Sequence, residues 1–216
     1  MAADEALLDR VVRSGGAFLR LYRWNPPTLS IGRNQPVPIG CDLPIVRRPT
    51  GGKAVRHEHE VTYAVAAPIE WFGSLREAYC QIHTRLAVAL RSLGVDTSLA
   101  PYRPTVRSRP SGSPLGSDCP TSCFASPVGG EILVTHRKVV GSAQVRRAGA
   151  FLQHGSILLD GKQPGGGLET TLAAVLGRPV SFEEVALAII ATWPEPLARS
   201  DSPTVRPSDI ASLAAP

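Results

Sequence analysis

The sequence has 216 residues, 43% of them hydrophobic, with 23 Lys and Arg against 18 Asp and Glu for a net charge of +5. That length and balance suit one globular domain over residues 1–216, and no apolar run is long enough to cross a bilayer. The basic residues are scattered rather than blocked, which argues against a nucleic-acid or membrane partner and leaves an acidic protein as the partner the charge fits.

The start, MAADEALLDRVV, predicts an amphipathic helix over residues 2–13, with Ala6, Leu7, Val11 and Val12 as its apolar set. It holds acidic residues and no apolar core segment of the signal-peptide kind, so the expected compartment is the cytoplasm. AFLRLYRW (17–24) alternates like a half-buried strand, NPP makes a turn, and TLSIG and PIVRRP are short strands. GGKAVRH is a glycine turn, and EVTYAVAAP returns to the sheet. From Ser74 to Leu93 the apolar residues Ala78, Ile82, Leu86, Leu90 and Leu93 predict a helix ended by Gly94. Its stripe reads as core packing without chemistry.

Residues 102–122 are rich in Pro, Ser and Gly and predict a long flexible loop leading into Cys123. GEILVTH, RKVVGSAQVRR and AFLQHGSILLD then predict a β-meander with turns at His136–Arg137 and Ala148–Gly149. Helices follow near Leu168–Leu176 and Phe182–Thr192, the second opened by SFEE in the form of a capping box. Residues 196–216 are expected to fray. The order of elements is an α+β pattern.

Four cysteines occur, Cys41, Cys80, Cys119 and Cys123. CPTSC is not a CxxC pair and no second pair answers it, so free thiols and no metal site are expected.

Three segments hold residues suited to chemistry. In RRPTGGKAVRH, Gly51 and Gly52 let a ligand approach the backbone, Arg48 could meet a phosphate or carboxylate, and His57 follows. The same pattern also fits a plain hairpin with a solvated basic flank. In RKVVGSAQ, Lys138 precedes small residues that leave space for a ligand chain, and its cation could face an oxyanion or phosphate; a surface lysine is the plainer reading. His154 sits in an otherwise apolar strand, where a hydrogen-bonded core histidine is common. Cys123 could be a nucleophile if a nearby cation lowers its pKa, or a buried structural thiol.

RRPTGGKAVRHEHEVTYAV, then Cys123-Phe124, then RKVVGSAQVRRAGAFLQHGSILLD resemble the lipoate–protein ligase, octanoyltransferase and biotin ligase superfamily, over a span from MAADEALLD to the LETTLAAVLGRPVSFEEV region. The resemblance implies a biotin/lipoate ligase-like α+β catalytic domain, with a mixed β-sheet flanked by helices. It implies that Arg48, Thr50, Gly51, Gly52, His57, Gly141, Ser142, Ala143, Gln144, His154 and Gly155 border an acyl pocket, and that Lys138 is the essential lysine. Many members have a third glycine in the turn where this chain has Lys53, which weighs against a phosphate role for the turn.

Cys123-Phe124 just before the KxxGSAQ strand looks like the cysteine-dependent octanoyltransferase branch. That implies octanoyl-acyl carrier protein as donor, a lipoyl domain or the glycine-cleavage H protein as acceptor, catalysis by Cys123 and Lys138, no cofactor or metal, and a monomer. Cys119 is a rival nucleophile. The alternatives are an ATP- and magnesium-dependent lipoate or octanoate ligase working through an acyl-adenylate, and a non-catalytic acyl-binding homologue. A biotin ligase fits less well, because its glycine-rich loop differs.

Overall fold

The structure, a computed structural model, describes residues 1–101, 129–163 and 167–193, with the backbone of two further strands at 198–199 and 210–213. In chain order the elements are α1 (Ala2–Ser14), β1 (Ala17–Tyr22), β2 (Thr28–Ile31), β3 (Ile45–Arg47), β4 (Val55–His57), β5 (Glu60–Pro68), α2 (Ile69–Phe72), α3 (Leu75–Ser92), β6 (Ser98–Leu99), β7 (Ile132–Val134), β8 (Arg137–Lys138), β9 (Val140–Arg147), β10 (Ala150–Leu158), α4 (Leu172–Leu176), α5 (Phe182–Ala191), β11 (Ala198–Arg199) and β12 (Ile210–Leu213).

The main sheet has the order β11-β12-β1-β5-β10-β9 and pairs antiparallel throughout. The mixing of strand directions lies in a small sheet, β3-β2-β4, where β2 runs parallel to β3 and antiparallel to β4. A third sheet is β6-β7-β8. With helices on both faces of the main sheet, this is the α+β architecture that the order of elements predicts.

β5 sits between β1 and β10 and is buried on both faces, so alternation along it sorts residues between two cores. Val61, Tyr63, Val65 and Ala67 face the core built with α3 and α5. Ala64 and Ala66 face the core built with Leu7, Leu8 and Val11 of α1. Strand β10 splits the same way, with Phe151 toward α3 and Leu152 toward α1. Small residues on the α1 side let that helix approach the sheet.

Several boundaries differ from the sequence expectation. RKVVGSAQVRR is not one strand: Arg137–Lys138 pairs with β7, and Val140 begins the main-sheet strand. The first meander turn is Thr135–His136, one residue earlier than expected, while the second is Ala148–Gly149 as expected. Both have positive φ at their two central residues, the primed geometry that matches strand twist. The helix expected near Leu168 starts at Leu172, where Thr171 caps it. The capping box expected at SFEE is half formed: Ser181 accepts the Glu184 N–H, while the Glu184 carboxylate turns to Arg178. The full box belongs to α3, between Ser74 and Glu77. Within the tail expected to fray, the backbone of β12 pairs with β1 and that of β11 with β12. The loop expected at 102–122, Cys119 and Cys123 lie outside the described residues.

Candidate functional site

The small sheet β3-β2-β4 and the turn after β3 pack beside α1, on the same face of the main sheet as His154. Between them and β9 lies a narrow cleft of about 20 Å³. Val55, Gly141 and Ala143 give it apolar and small walls, and Arg48, His57 and His154 also border it. Gly52 brings the turn against β9, since a Cβ there would touch the Ala143 methyl at 4.0 Å. The RRPTGG turn and the GSAQ strand therefore do share one cleft.

The polar groups in it are already bonded. His154 Nδ1 lies 3.2 Å from the Asp4 carboxylate and its Nε2 2.7 Å from Thr50 Oγ1. A carboxylate only accepts, so Nδ1 carries the hydrogen and Thr50 donates to Nε2. Burial pushes the His154 ring below its ordinary pKa, against the pull of Asp4. Burial alone would raise the Asp4 carboxyl, but His154 and Arg20 outweigh it and hold the group low. With the ring neutral, Arg20, at 2.7 Å, and the Met1 ammonium are positive charges that act on Asp4.

His57 follows the same plan. Its Nδ1 donates to Glu60, its Nε2 takes the Ser30 hydroxyl at 2.5 Å, and Trp24 stacks on the ring at 4.4 Å. Arg48 is 5% exposed and donates to Ser30 O and Oγ at 3.0 and 2.7 Å, and to Gly51 O and Lys53 O at 3.2 and 2.7 Å. Arg47 donates to the carbonyls of Gly32, Arg33 and Gln35. Arg48 thus braces the turn against β2, and Arg47 ties β3 to the segment after β2.

The other half of the GSAQ segment faces the opposite side of the sheet. Ser142 borders the cleft, but its hydroxyl lies 2.6 Å from Tyr63 OH and 2.8 Å from His83 Nε2. Gln144 bonds Gln153 at 3.0 Å, and Gln153 bonds Tyr63 OH at 3.1 Å. Gly155 is what lets this cluster close: a Cβ there would stand 2.5 Å from Ser142 Oγ and 2.8 Å from the Tyr63 ring.

Lys138 is 1% exposed and pairs with Glu131 at 2.5 Å, a buried ion pair at the end of β7–β8. The plainer expectation, a surface lysine, is thereby excluded. It is not among the residues that border the cleft, so the structure gathers the two histidines, Arg48, Gly141 and Ala143 there and holds Lys138 apart with Glu131. Thr50 and Gly51 support the cleft from the turn, and Gln144 belongs to the opposite face.

Asp4, Glu60, Trp24, His83 and Glu131 are the polar partners that sequence reasoning passed over. Asp4 had a signal: it stands three and four residues before Leu7 and Leu8, on the helix face that packs. His83 stands four before Ala87 in the buried stripe of α3, the helix expected to carry no chemistry.

Among known proteins, the chain is 43% identical over 174 residues to "Octanoyltransferase LipM" of Kyrpidia tusciae, covering 74% of this chain and 61% of that one. It is 37% identical to the protein of the same name from Symbiobacterium thermophilum, covering 94% of this chain and 83% of that one. The chain spans about 60% of the length of several of the curated relatives it matches. Its fold is similar to that of a lipoate-protein ligase A solved with ATP bound, at TM-score 0.64 and 21% identity over 87% of this chain and 76% of that one. The lipoyl protein ligase A/B catalytic domain matches residues 1–176, and the chain belongs to that family.

Proposed function

We propose that the protein is an octanoyltransferase. It moves an octanoyl group from acyl carrier protein, through a thioester on Cys123, to a lysine of a lipoyl domain or of the glycine-cleavage H protein, in the biosynthesis of lipoate. The observation that carries this reading is the use of the two turn arginines. A turn that serves an acyl-adenylate presents cations to phosphate; here Arg47 donates to carbonyls of Gly32, Arg33 and Gln35 after β2, and Arg48 donates to Ser30 of β2 and to carbonyls of its own turn. The relatives' name favours the same reading.

The chemistry has two balanced steps. The Cys123 thiolate attacks the thioester carbonyl, the new C–S bond forms, the bond to the carrier's sulfur breaks, and the released thiolate takes up a proton. The acceptor lysine's neutral amine then attacks the acyl-enzyme. The C–N bond forms, the bond to Cys123 breaks, and the amine's proton leaves to solvent or to the thiolate. Lys138 faces the oxyanion of each step, and Glu131 keeps its buried ammonium oriented. On this reading the alkyl chain enters along the cleft between the turn and β9, which must widen to take it. No metal or cofactor takes part on this reading; ATP and magnesium belong to the ligase alternative. The protein acts as a monomer in the cytoplasm, and its +5 charge suits acidic carrier and acceptor domains. Among the described residues no helix is long and apolar enough to cross a membrane.

Intact-mass measurement after incubation with octanoyl-acyl carrier protein, without ATP, tests the reading. One octanoyl group is expected on the wild type and on Cys119→Ala, and none on Cys123→Ala. No gain on the wild type, or octanoylation of acceptor only with ATP, overturns it.

A further inference from the structure

His83 ties together two points of the chain that flank Lys138. Its ring is fully buried, with Nδ1 2.7 Å from Gly130 O and Nε2 2.8 Å from Ser142 Oγ. A carbonyl oxygen only accepts, so Nδ1 bears the hydrogen and Nε2 is the acceptor. That choice orders the neighbours. Ser142 donates to His83, Tyr63 donates to Ser142, the Gln153 amide donates to Tyr63, Gln144 donates to Gln153, and Arg146 donates to Gln144 at 3.3 Å. Every bond runs in one direction, from Arg146 to the Gly130 carbonyl, and each donor has an acceptor.

We infer that His83 is a positioning residue for acyl transfer: it clips the Gly130–Glu131 peptide to Ser142 and so fixes the β7–β8 segment that carries the Glu131–Lys138 pair. The inference rests on the octanoyltransferase reading above. Gly130 directly precedes Glu131, and Ser142 follows Lys138 by four residues. One imidazole therefore closes the segment at both ends. The groups facing it are Tyr63 from β5, Lys138 from β8 and Tyr79 from its own helix, whose ring lies 4.1 Å away. Burial, with the Lys138 charge, lowers the His83 pKa to about 4, so the ring keeps its one-donor, one-acceptor state at neutral pH.

The test compares the full chain with His83→Leu and His83→Gln. Because catalysis is sensitive to misplacement of about an ångström, His83→Leu is expected to lower kcat for octanoyl transfer roughly tenfold to a hundredfold, with KM changed less than about twofold. His83→Gln, whose amide oxygen can accept from Ser142, recovers part of the loss. A purely structural histidine would lower thermal stability and leave the kcat of folded enzyme unchanged, which overturns the inference.

Two readouts need no turnover. Imidazole nitrogen NMR is expected to show Nδ1–H and a bare Nε2 at His83; the opposite tautomer overturns the clip. Acetic anhydride labelling, read by peptide mass spectrometry against Lys53 and Lys162, is expected to rise at Lys138 in folded His83→Leu; unchanged labelling overturns it. If the wild type moves no octanoyl group, the transferase reading fails, and these two readouts still decide whether His83 holds Lys138.

Discussion

Gly155 shows what a single residue does for this site. The family resemblance places it in the wall of an acyl pocket, and it does border the cleft. Its missing side chain, however, makes room on the other face for the contact of Tyr63 with Ser142. Gly155→Ala would press a methyl against the Gly141 carbonyl, Ser142 and Tyr63, and central strands have little slack. Overpacking of this kind is expected to cost about 1–3 kcal/mol, measured by urea unfolding, and to break the Ser142–Tyr63 bond. No loss of stability would mean that the strand can shift at little cost. At this scale the sequence was informative where the residue type is rare in its setting: the glycines of the turn, a lysine before GSAQ, a histidine in an apolar strand. It was weak on Asp4 and silent on Glu60 and Glu131. An acidic residue in a helix or at a strand start is usually solvated, and only the partner across the fold shows that it is not.

Elements were legible where periodicity is strong. α3, β5 and β10 lie within a residue or two of their expected bounds, because a long apolar stripe or a buried alternating run has few other solutions. The break between β8 and β9 was not legible. RKVVGSAQ has no glycine or proline before Gly141 to mark it, and the cause is tertiary: β8 pairs with β7 in a separate sheet. The β7–β8 hairpin is also where the fold carries local backbone cost. Its two-residue turn puts Thr135 and His136 at φ 47° and 65°, and a β-branched residue is poorly suited to the left-handed region. Asn-Gly is the favoured pair for such a turn. Thr135→Asn with His136→Gly is therefore expected to stabilise the protein by about 1 kcal/mol in urea unfolding, since the native φ values are kept and the strain falls. The octanoyl transfer proposed above should be unchanged, because Lys138 keeps its partner. A loss of stability would show that the side chains of Thr135 or His136 hold the hairpin in a way the backbone does not require.

Across the whole molecule, one antiparallel sheet keeps two polar networks apart. The Asp4–His154–Thr50 and Glu60–His57–Ser30 chains lie on the α1 face, and the His83–Ser142–Tyr63 chain lies on the α3 face. The strand pleat sends neighbours such as His154 and Gly155 to different networks, so each can be saturated without competing for partners. The price is that His83 and His154 fold as neutral rings. In the unfolded chain a histidine takes up its proton near pH 6.5; in the folded chain His83 does so only near pH 4. Between those values the unfolded state binds more protons, so stability must fall as pH falls. Asp4 works in a lower window: its folded pKa is depressed below 3.8, so its contribution is present above that pH and is lost only in stronger acid. Acid unfolding is thus expected to begin with histidines rather than carboxylates. A shift from 6.5 to about 4 corresponds to a loss on the order of 3 kcal/mol from His83 alone, complete near pH 4. Urea unfolding at a series of pH values between about 7.5 and 4.5 should show the wild type losing stability steadily below pH 6.5. His83→Gln cannot titrate, so although it starts less stable, its curve should be flatter over the same range. Parallel curves for the two proteins would mean that His83 is not held neutral by the fold.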